Sequence, residues 1–325
     1  MNETSYRRAE RAFWDGYGVE PGERFVTPAT TGTDVRVQLI GDGPPVLFIH
    51  GGPNAGSTWG PIVGAFDGYT CLLVDRPGTG LSEPWPAITS SEQLLRFGDR
   101  FVADVLDGLG LERAHVVASS FGGFLALRSA ATTPERFDRM AQMACPALVP
   151  GMKTPPFMRF MSMGWFRRLT GLFPPNEKVG DMILRQIGHG ASLDAGRIPQ
   201  SFKDWYLNLQ RHTDTMENDG EMIGSLASFG RFDDVYTLPG ELIASVTTPT
   251  LFLWGEDDTF GGREVAEHVV DLMPNSELVM LPDSGHLPWL DFPDEVGRLA
   301  RTFLDGAQSS ATGEASGPHG DAKPA

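Results

Sequence analysis

Three side chains in this 325-residue chain have the types and settings that nucleophilic acyl transfer needs: Ser120, His286 and an acid at Asp257 or Asp258. Ser120 stands in AHVVASSFGGFLAL, where an apolar run passes through a small-x-Ser-x-Gly turn straight into a segment of helical spacing. Such a turn is tight, and large side chains two positions either side of its serine would collide. Ala118 and Gly122 meet that demand around Ser120, whereas Ser119 would be flanked by Val117 and Phe121. The turn also sets Ser120 at a helix N-terminus, where free N–H groups and the helix dipole favour developing negative charge. His286 ends LPDSGH, on a loop after another apolar run. An unperturbed imidazole, with a pKa of about 6.5, accepts and returns a proton at neutral pH. FLWGEDD sets carboxylates after a third run, where one would orient the histidine; Asp258 is the first choice and Asp257 the competitor.

A further glycine-rich loop, FIHGGPNAGSTW, follows the first apolar run. Glycines there let backbone approach a substrate closely. The N–H groups of Gly52 and Phe121 are the expected oxyanion hole, and one such donor contributes on the order of 3 kcal/mol to transition-state stabilisation. His50 reads as a structural histidine shaping this loop. Asn54 and Trp59 are candidates to line the substrate pocket, with turn and packing roles as the alternative.

These residues need a scaffold, and the chain spells one out. Two β-prone runs around a Thr/Gly turn, from Glu23 to Gly41, predict an opening hairpin. A short, wholly apolar run at Pro44–His50, followed by apolar runs closed by turns within Thr70–Gly78, Ala114–Gly123, Thr248–Asp258 and Ser276–His286, suggests strands buried on both faces of a parallel sheet. Between them lie helical spacings: Leu94, Phe101, Val102, Val105, Leu106 and Leu109; then Phe124, Leu125 and Leu127; Val265, Val269 and Met273; Val296, Leu299 and Phe303. The alternation predicts an α/β fold with a doubly wound, mostly parallel sheet. From about Pro146 to Ser245 the rhythm breaks into Met-, Phe-, Trp- and Pro-rich sequence, expected to be a helical insertion over the sheet's C-terminal edge, where open α/β sheets bind ligands. The expected division is a core of residues 1–146 and 246–306, a helical cap of 147–245 and a disordered tail of 307–325. Within the cap, Trp165 is a further pocket candidate, while Phe157, Met161, Trp205 and His212 read as packing of the lid itself.

Composition excludes several classes. A formal charge of −16 and a pI of about 4.8 repel nucleic acid and anionic membranes, so neither is expected as a partner. No His/Cys cluster has zinc-ligand spacing. Cys71 and Cys145 lie in apolar runs and read as buried free thiols. The N-terminal stretch has no apolar signal core, and no uncharged run is long enough to span a bilayer, so a cytoplasmic location is expected. A homodimer is compatible with the sequence.

Together, HGGP, DRPGTGLS, ASSFGG, WGEDD and DSGH, in that order, resemble the α/β-hydrolase fold-1 superfamily, from the HGGP segment to the final helix. Serine before acid before histidine is that family's order. The resemblance implies a serine-nucleophile hydrolase with a helical cap, a small-molecule substrate and no metal or organic cofactor. It also gives the acid position to Asp258, three residues after the glycine of the WG turn; the other position that relatives use falls in MAQMACPALVP, which has no carboxylate. By the same resemblance Asp75 and Arg76 of DRPGTGLS are structural. Ala118 departs from the family's usual glycine, a change the turn tolerates. A serine at the elbow argues against epoxide hydrolases and haloalkane dehalogenases, which carry aspartate there. The expected reaction is hydrolysis of an ester-like or activated C–C bond in an apolar small molecule. The alternatives are a dedicated C–C bond hydrolase, a proline iminopeptidase-like amidase, a non-hydrolytic cyclase or lyase of secondary metabolism, and a binding protein that kept the fold.

Overall fold

The computed structural model describes residues 1–85, 90–155, 175–228 and 231–306. Trp165, Phe157, Met161 and the expected tail lie outside them. An eight-stranded sheet forms the centre, in the order β1-β2-β4-β3-β5-β6-β7-β8. Its strands are β1 (Gly22–Val26), β2 (Val35–Ile40), β3 (Pro45–Ile49), β4 (Thr70–Val74), β5 (Ala114–Ser119), β6 (Phe137–Met143), β7 (Thr250–Gly255) and β8 (Ser276–Leu281). β1 and β2 pair antiparallel as the opening hairpin, β2 pairs antiparallel with β4, and all other neighbours are parallel. The apolar runs are strands because helices cover both faces of the sheet. β7 is buried along its whole length, and β3 is buried at all but its first residue.

Among the described residues eight longer helices surround the sheet: α1 (Glu3–Asp15), α2 (Ser91–Leu109), α3 (Phe121–Thr132), α4 (Glu177–Gln186), α5 (Gln200–His212), α6 (Thr215–Leu226), α7 (Arg263–Leu272) and α8 (Pro293–Leu304). The α2 residues singled out by spacing are all buried. Ser90 caps that helix by accepting from the Gln93 N–H at 3.3 Å, and Gly110 ends it with φ 73°. Helices α4 to α6 come from the segment where the strand rhythm breaks, and their side chains face the same cavity as the loops after β3 and β5. Among the described residues no helix is long and apolar enough to cross a membrane. Cys71 and Cys145 are free and buried, as expected.

Helix α1 has no counterpart in the sequence reading. It buries Tyr6, Phe13 and Trp14, and Phe13 stacks on Trp205 of α5 with ring centroids 5.2 Å apart. Its Glu10 is also buried and accepts from Arg36 Nη1 and Nη2 at 3.0 and 2.7 Å, from Ser57 Oγ at 2.7 Å and from Tyr6 Oη at 3.0 Å. Arg36 reaches Asp75 as well, at 3.3 Å. Asp75 in turn accepts from the N–H groups of Gly56 and Leu81, holding together the loops after β3 and β4. Asp75 therefore ties these loops together, and the terminal helix is wired into it through Arg36. Glu10→Ala should lower unfolding free energy by about 3 kcal/mol, because it leaves buried donors without their acceptor. Urea denaturation reads this, and a wild-type midpoint would show that α1 is not part of the cooperative core.

Candidate active site

The turn after β5 has the geometry its residues imply. Ser120 adopts φ 52° and ψ −118°, one of four non-glycine residues at positive φ among the described residues, and it precedes α3 directly. Such a conformation costs on the order of 1–3 kcal/mol and persists only where the surroundings enforce it. They do so here through backbone contact. A Cβ at Gly122 would overlap the Ile49 carbonyl and lie 2.7 Å from that of His50, so only glycine lets the turn seat against the end of β3. The Ser120 carbonyl accepts from Phe124 N at 3.0 Å and Ala147 N at 2.9 Å, which pins the turn from the far side.

Asp258 and His286 meet across the ends of β7 and β8. Asp258 Oδ2 accepts from His286 Nδ1 at 2.8 Å and from Cys145 N at 3.0 Å, and Oδ1 accepts from Phe260 N at 2.9 Å. Asp258 is 4% exposed, whereas Asp257 faces solvent, which decides between the two acids. The Phe260 ring packs on the imidazole, centroids 4.3 Å apart. Ser120, Phe121, Gly52 and His286 line one cavity, so the structure brings the serine, the histidine and both expected oxyanion donors to a single space.

The pocket candidates divide. Asn54 lines the cavity, with its amide tied to Thr58 Oγ1 and to Ala55 N, both at 3.0 Å. Trp59 does not line it, and the expectation is corrected. The 3-10 turn Gly56–Trp59 swings the indole into the core, fully buried against Trp289 (4.3 Å between centroids) and Phe48 (5.7 Å). Trp205 packs on Phe202 and Phe13, in keeping with lid packing. His50 is structural: it is fully buried, Nδ1 donates to Gly51 O at 2.6 Å, and Nε2 accepts from Arg76 N at 3.2 Å. Burial, reinforced by the Arg76 charge, holds its pKa well below the usual imidazole range, so the ring stays neutral.

The remaining wall comes from residues such as Leu148, Met152, Ile183, Leu184, Phe202 and Met222, and the described lining includes no Lys, Arg, Asp or Glu. Burial raises the Cys145 thiol at this wall, and the Asp258 charge raises it further.

A second His–Asp pair, missed in the sequence, sits behind the first. His189, at the start of the short helix Gly190–Asp194, points Nδ1 at both oxygens of Asp291, each at 2.9 Å. Its Nε2 accepts from Leu287 N at 3.1 Å, so the proton directed at Asp291 sits on Nδ1. Asp291 also accepts from Ser192 Oγ, and from Ser284 Oγ and Gly285 N at 2.9 Å each, while His286 N donates to Ile187 O at 2.9 Å. The loop carrying His286 is thus gripped from both ends by residues 187–192. No local signal marks the partnership, since His189 and Asp291 are 102 positions apart.

Residues 44–293 match the alpha/beta hydrolase fold family. The chain belongs to that family, and with a Ser, an Asp-paired His and a glycine loop around one cavity it is a hydrolase. Among curated proteins it is 30% identical over 292 residues to a 2-hydroxy-6-oxononadienedioate/2-hydroxy-6-oxononatrienedioate hydrolase of Burkholderia vietnamiensis, covering 86% of this chain and 95% of that one. It is 29% identical over 295 residues to a 2-hydroxy-6-oxo-6-phenylhexa-2,4-dienoate hydrolase of Burkholderia cepacia, covering 86% and 96%. The structure of carboxylesterase CesB from Bacillus subtilis superposes with a TM-score of 0.72 at 20% identity over 94% of this chain and 99% of that one, a likeness of fold.

Burial pushes the Asp291 carboxyl up, but its hydrogen bonds from His189 and Ser192 more than offset this and hold it below the ordinary value. A depressed carboxylate contributes stability that is present above its unfolded pKa, about 3.9, and is lost as pH falls through the lower folded value. Asp291→Ala should therefore unfold at clearly lower urea than wild type at pH 7, and the gap should narrow below pH 4. A gap that is constant with pH would show that the lost packing, not the charge, mattered.

Proposed function

We propose that this chain is a serine hydrolase that cleaves esters of uncharged, apolar acids through an acyl-enzyme. The single observation that carries the reading is the shared cavity: an Asp258-paired His286 and an elbow-held Ser120 open into a space whose described lining is otherwise mostly apolar and holds no Lys, Arg, Asp or Glu. His286 Nε2 takes the Ser120 proton as Oγ bonds to the substrate carbonyl carbon. The N–H groups of Gly52 and Phe121 donate to the oxyanion. His286 returns the proton to the leaving alkoxide oxygen, and the C–O bond breaks. Asp258 holds the proton of His286 on Nδ1 and offsets the imidazolium charge. Water, deprotonated by His286, then attacks the acyl carbon, and Ser120 leaves with its proton restored. No step in this scheme calls for a metal or organic cofactor. Residues 147–245 serve as the cap, with α4, α5 and α6 roofing the cavity and keeping water from the apolar end. The two buried free thiols and the acidic charge favour a cytoplasmic enzyme.

A second reading, hydrolysis of an activated C–C bond, is favoured by the relatives, whose names specify hydrolases of 2-hydroxy-6-oxo-dienoates. Those molecules carry carboxylates. A carboxylate in an apolar pocket needs a counter-charge or loses several kcal/mol; Arg159, Arg167 and Arg168 fall among the residues outside the described ones, and the substrate panel decides between the readings.

Two measurements test the reading. A fluorophosphonate probe should label Ser120 in the wild type, and His286→Ala should abolish labelling; an adduct elsewhere would sink the scheme. On a substrate panel, kcat/KM for p-nitrophenyl butyrate should exceed that for 2-hydroxy-6-oxo-6-phenylhexa-2,4-dienoate by at least about tenfold, or ~1.4 kcal/mol. The reverse order would replace ester hydrolysis with C–C cleavage.

A further inference from the structure

Arg76 and Asp219 form a buried ion pair that the reaction scheme does not use. Arg76 is 2% exposed, on the turn after β4, and Asp219 is 2% exposed, on α6. Arg76 Nη2 donates to Asp219 Oδ2 at 2.8 Å and Oδ1 at 3.2 Å. The same guanidinium donates from Nε to His50 O at 3.0 Å and from Nη2 to Gly51 O at 3.0 Å, the two carbonyls directly before Gly52. It also lies over the Phe121 ring, 5.1 Å from the centroid. One cation therefore touches the residues on both sides of the expected oxyanion hole. The Asp219 carboxylate packs so closely on Gly52 that a Cβ there would overlap Oδ2. A second cap residue, Tyr206 of α5, donates from its hydroxyl to Pro53 O at 3.1 Å. The carbonyls of residues 50, 51 and 53 are all spoken for, and the cap supplies part of the hold.

We infer that Arg76 and Asp219 are positioning residues: the cap, through Asp219, aims the Arg76 fork that sets the direction of the Gly52 N–H, so the oxyanion hole is complete only with α6 seated. The physical ground is the planar guanidinium. Its donors are fixed relative to one another, so holding Nη2 on the Asp219 carboxylate orients the same Nη2 and the adjoining Nε toward the Gly51 and His50 carbonyls. An oxyanion donor is effective only when aimed at where the charge develops. Burial raises the Asp219 carboxyl above its ordinary value, and the Arg76 charge and hydrogen bonds work against that rise.

This inference rests on the ester-hydrolase reading, and the test separates the two. Wild type, Asp219→Asn and the double variant Arg76→Met/Asp219→Leu are compared for Tm, for kcat and KM on p-nitrophenyl butyrate, and for inhibition by an alkyl trifluoromethyl ketone, which adds to the serine and needs the hole. Asp219→Asn should lower kcat by about 10–100-fold, less than or equal to the loss of a whole donor, with KM within about threefold. The ketone should weaken by the same factor as kcat/KM, as a transition-state mimic does. The double variant removes both charges, so its Tm should recover toward wild type, yet its kcat should stay low. If kcat recovers along with Tm, the pair is only structural and the inference falls. A wild-type kcat in Asp219→Asn also overturns it. So does a raised kcat, which would mean that the freed guanidinium stabilises the oxyanion by its field. A wild type that neither turns over ester nor reacts with fluorophosphonate overturns the function and, with it, the role given to this pair.

Discussion

A serine at φ 52° on the end of a buried strand is an unstable arrangement by itself, and much of the surrounding structure exists to hold it. The turn must press against β3, and it does so because residue 122 has no side chain. That contact fixes the distance between the loops after β3 and β5, and hence between the Gly52 and Phe121 N–H groups. It requires β3 and β5 to be neighbours in register, Ile49 beside Ala118. The crossovers between parallel strands then place α3 with its N-terminus at the reaction centre. Strain at one residue is offset by apolar burial spread over the whole sheet, which is why the strands around it are buried on both faces.

Three polar networks sit where this apolar framework meets something that must be aligned with it. Glu10, Arg36 and Asp75 join the terminal helix to the loops after β3 and β4. Asp291 and His189 join residues 187–192 to the His286 loop. Arg76 and Asp219 join α6 to the Gly52 loop. In each case a buried charge is fully engaged, as its location demands.

The sequence makes legible what local chemistry dictates. Apolar runs of five to seven residues give the strands, because burial on both faces leaves no room for alternation. Ala118 and Gly122 give the elbow, since sterics allow little else. Asp258 needed the family pattern to separate it from Asp257, and burial explains the choice: the adjacent residue points to solvent. What stayed hidden is whatever depends on a distant partner. Helix α1 looks like a charged surface segment until Arg36 is placed over Glu10. Trp59 reads as a pocket residue because the 3-10 turn that buries it against Trp289 is 230 residues from that partner in sequence. Asp219 is one of 42 acidic residues, and nothing beside it in the chain sets it apart.

Replacing a buried ion pair by apolar residues of similar volume often leaves stability unchanged or improved. Stability alone therefore does not account for charges at the cap–core joints. Direction does. Leu against Leu is satisfied over a range of offsets, whereas a planar guanidinium that must meet a carboxylate and two carbonyls through Nε and Nη2 has far fewer satisfied arrangements. Apolar contacts such as Phe13 on Trp205 bring the cap down onto the core without specifying its position finely. The Arg76–Asp219 contact specifies it at the loop whose N–H must be aimed, and the His189–Asp291 contact does so at the loop that carries the base. Both charges are kept off the described cavity wall, which stays apolar. The substrate is left to meet only the groups that react with it and a surface that excludes water.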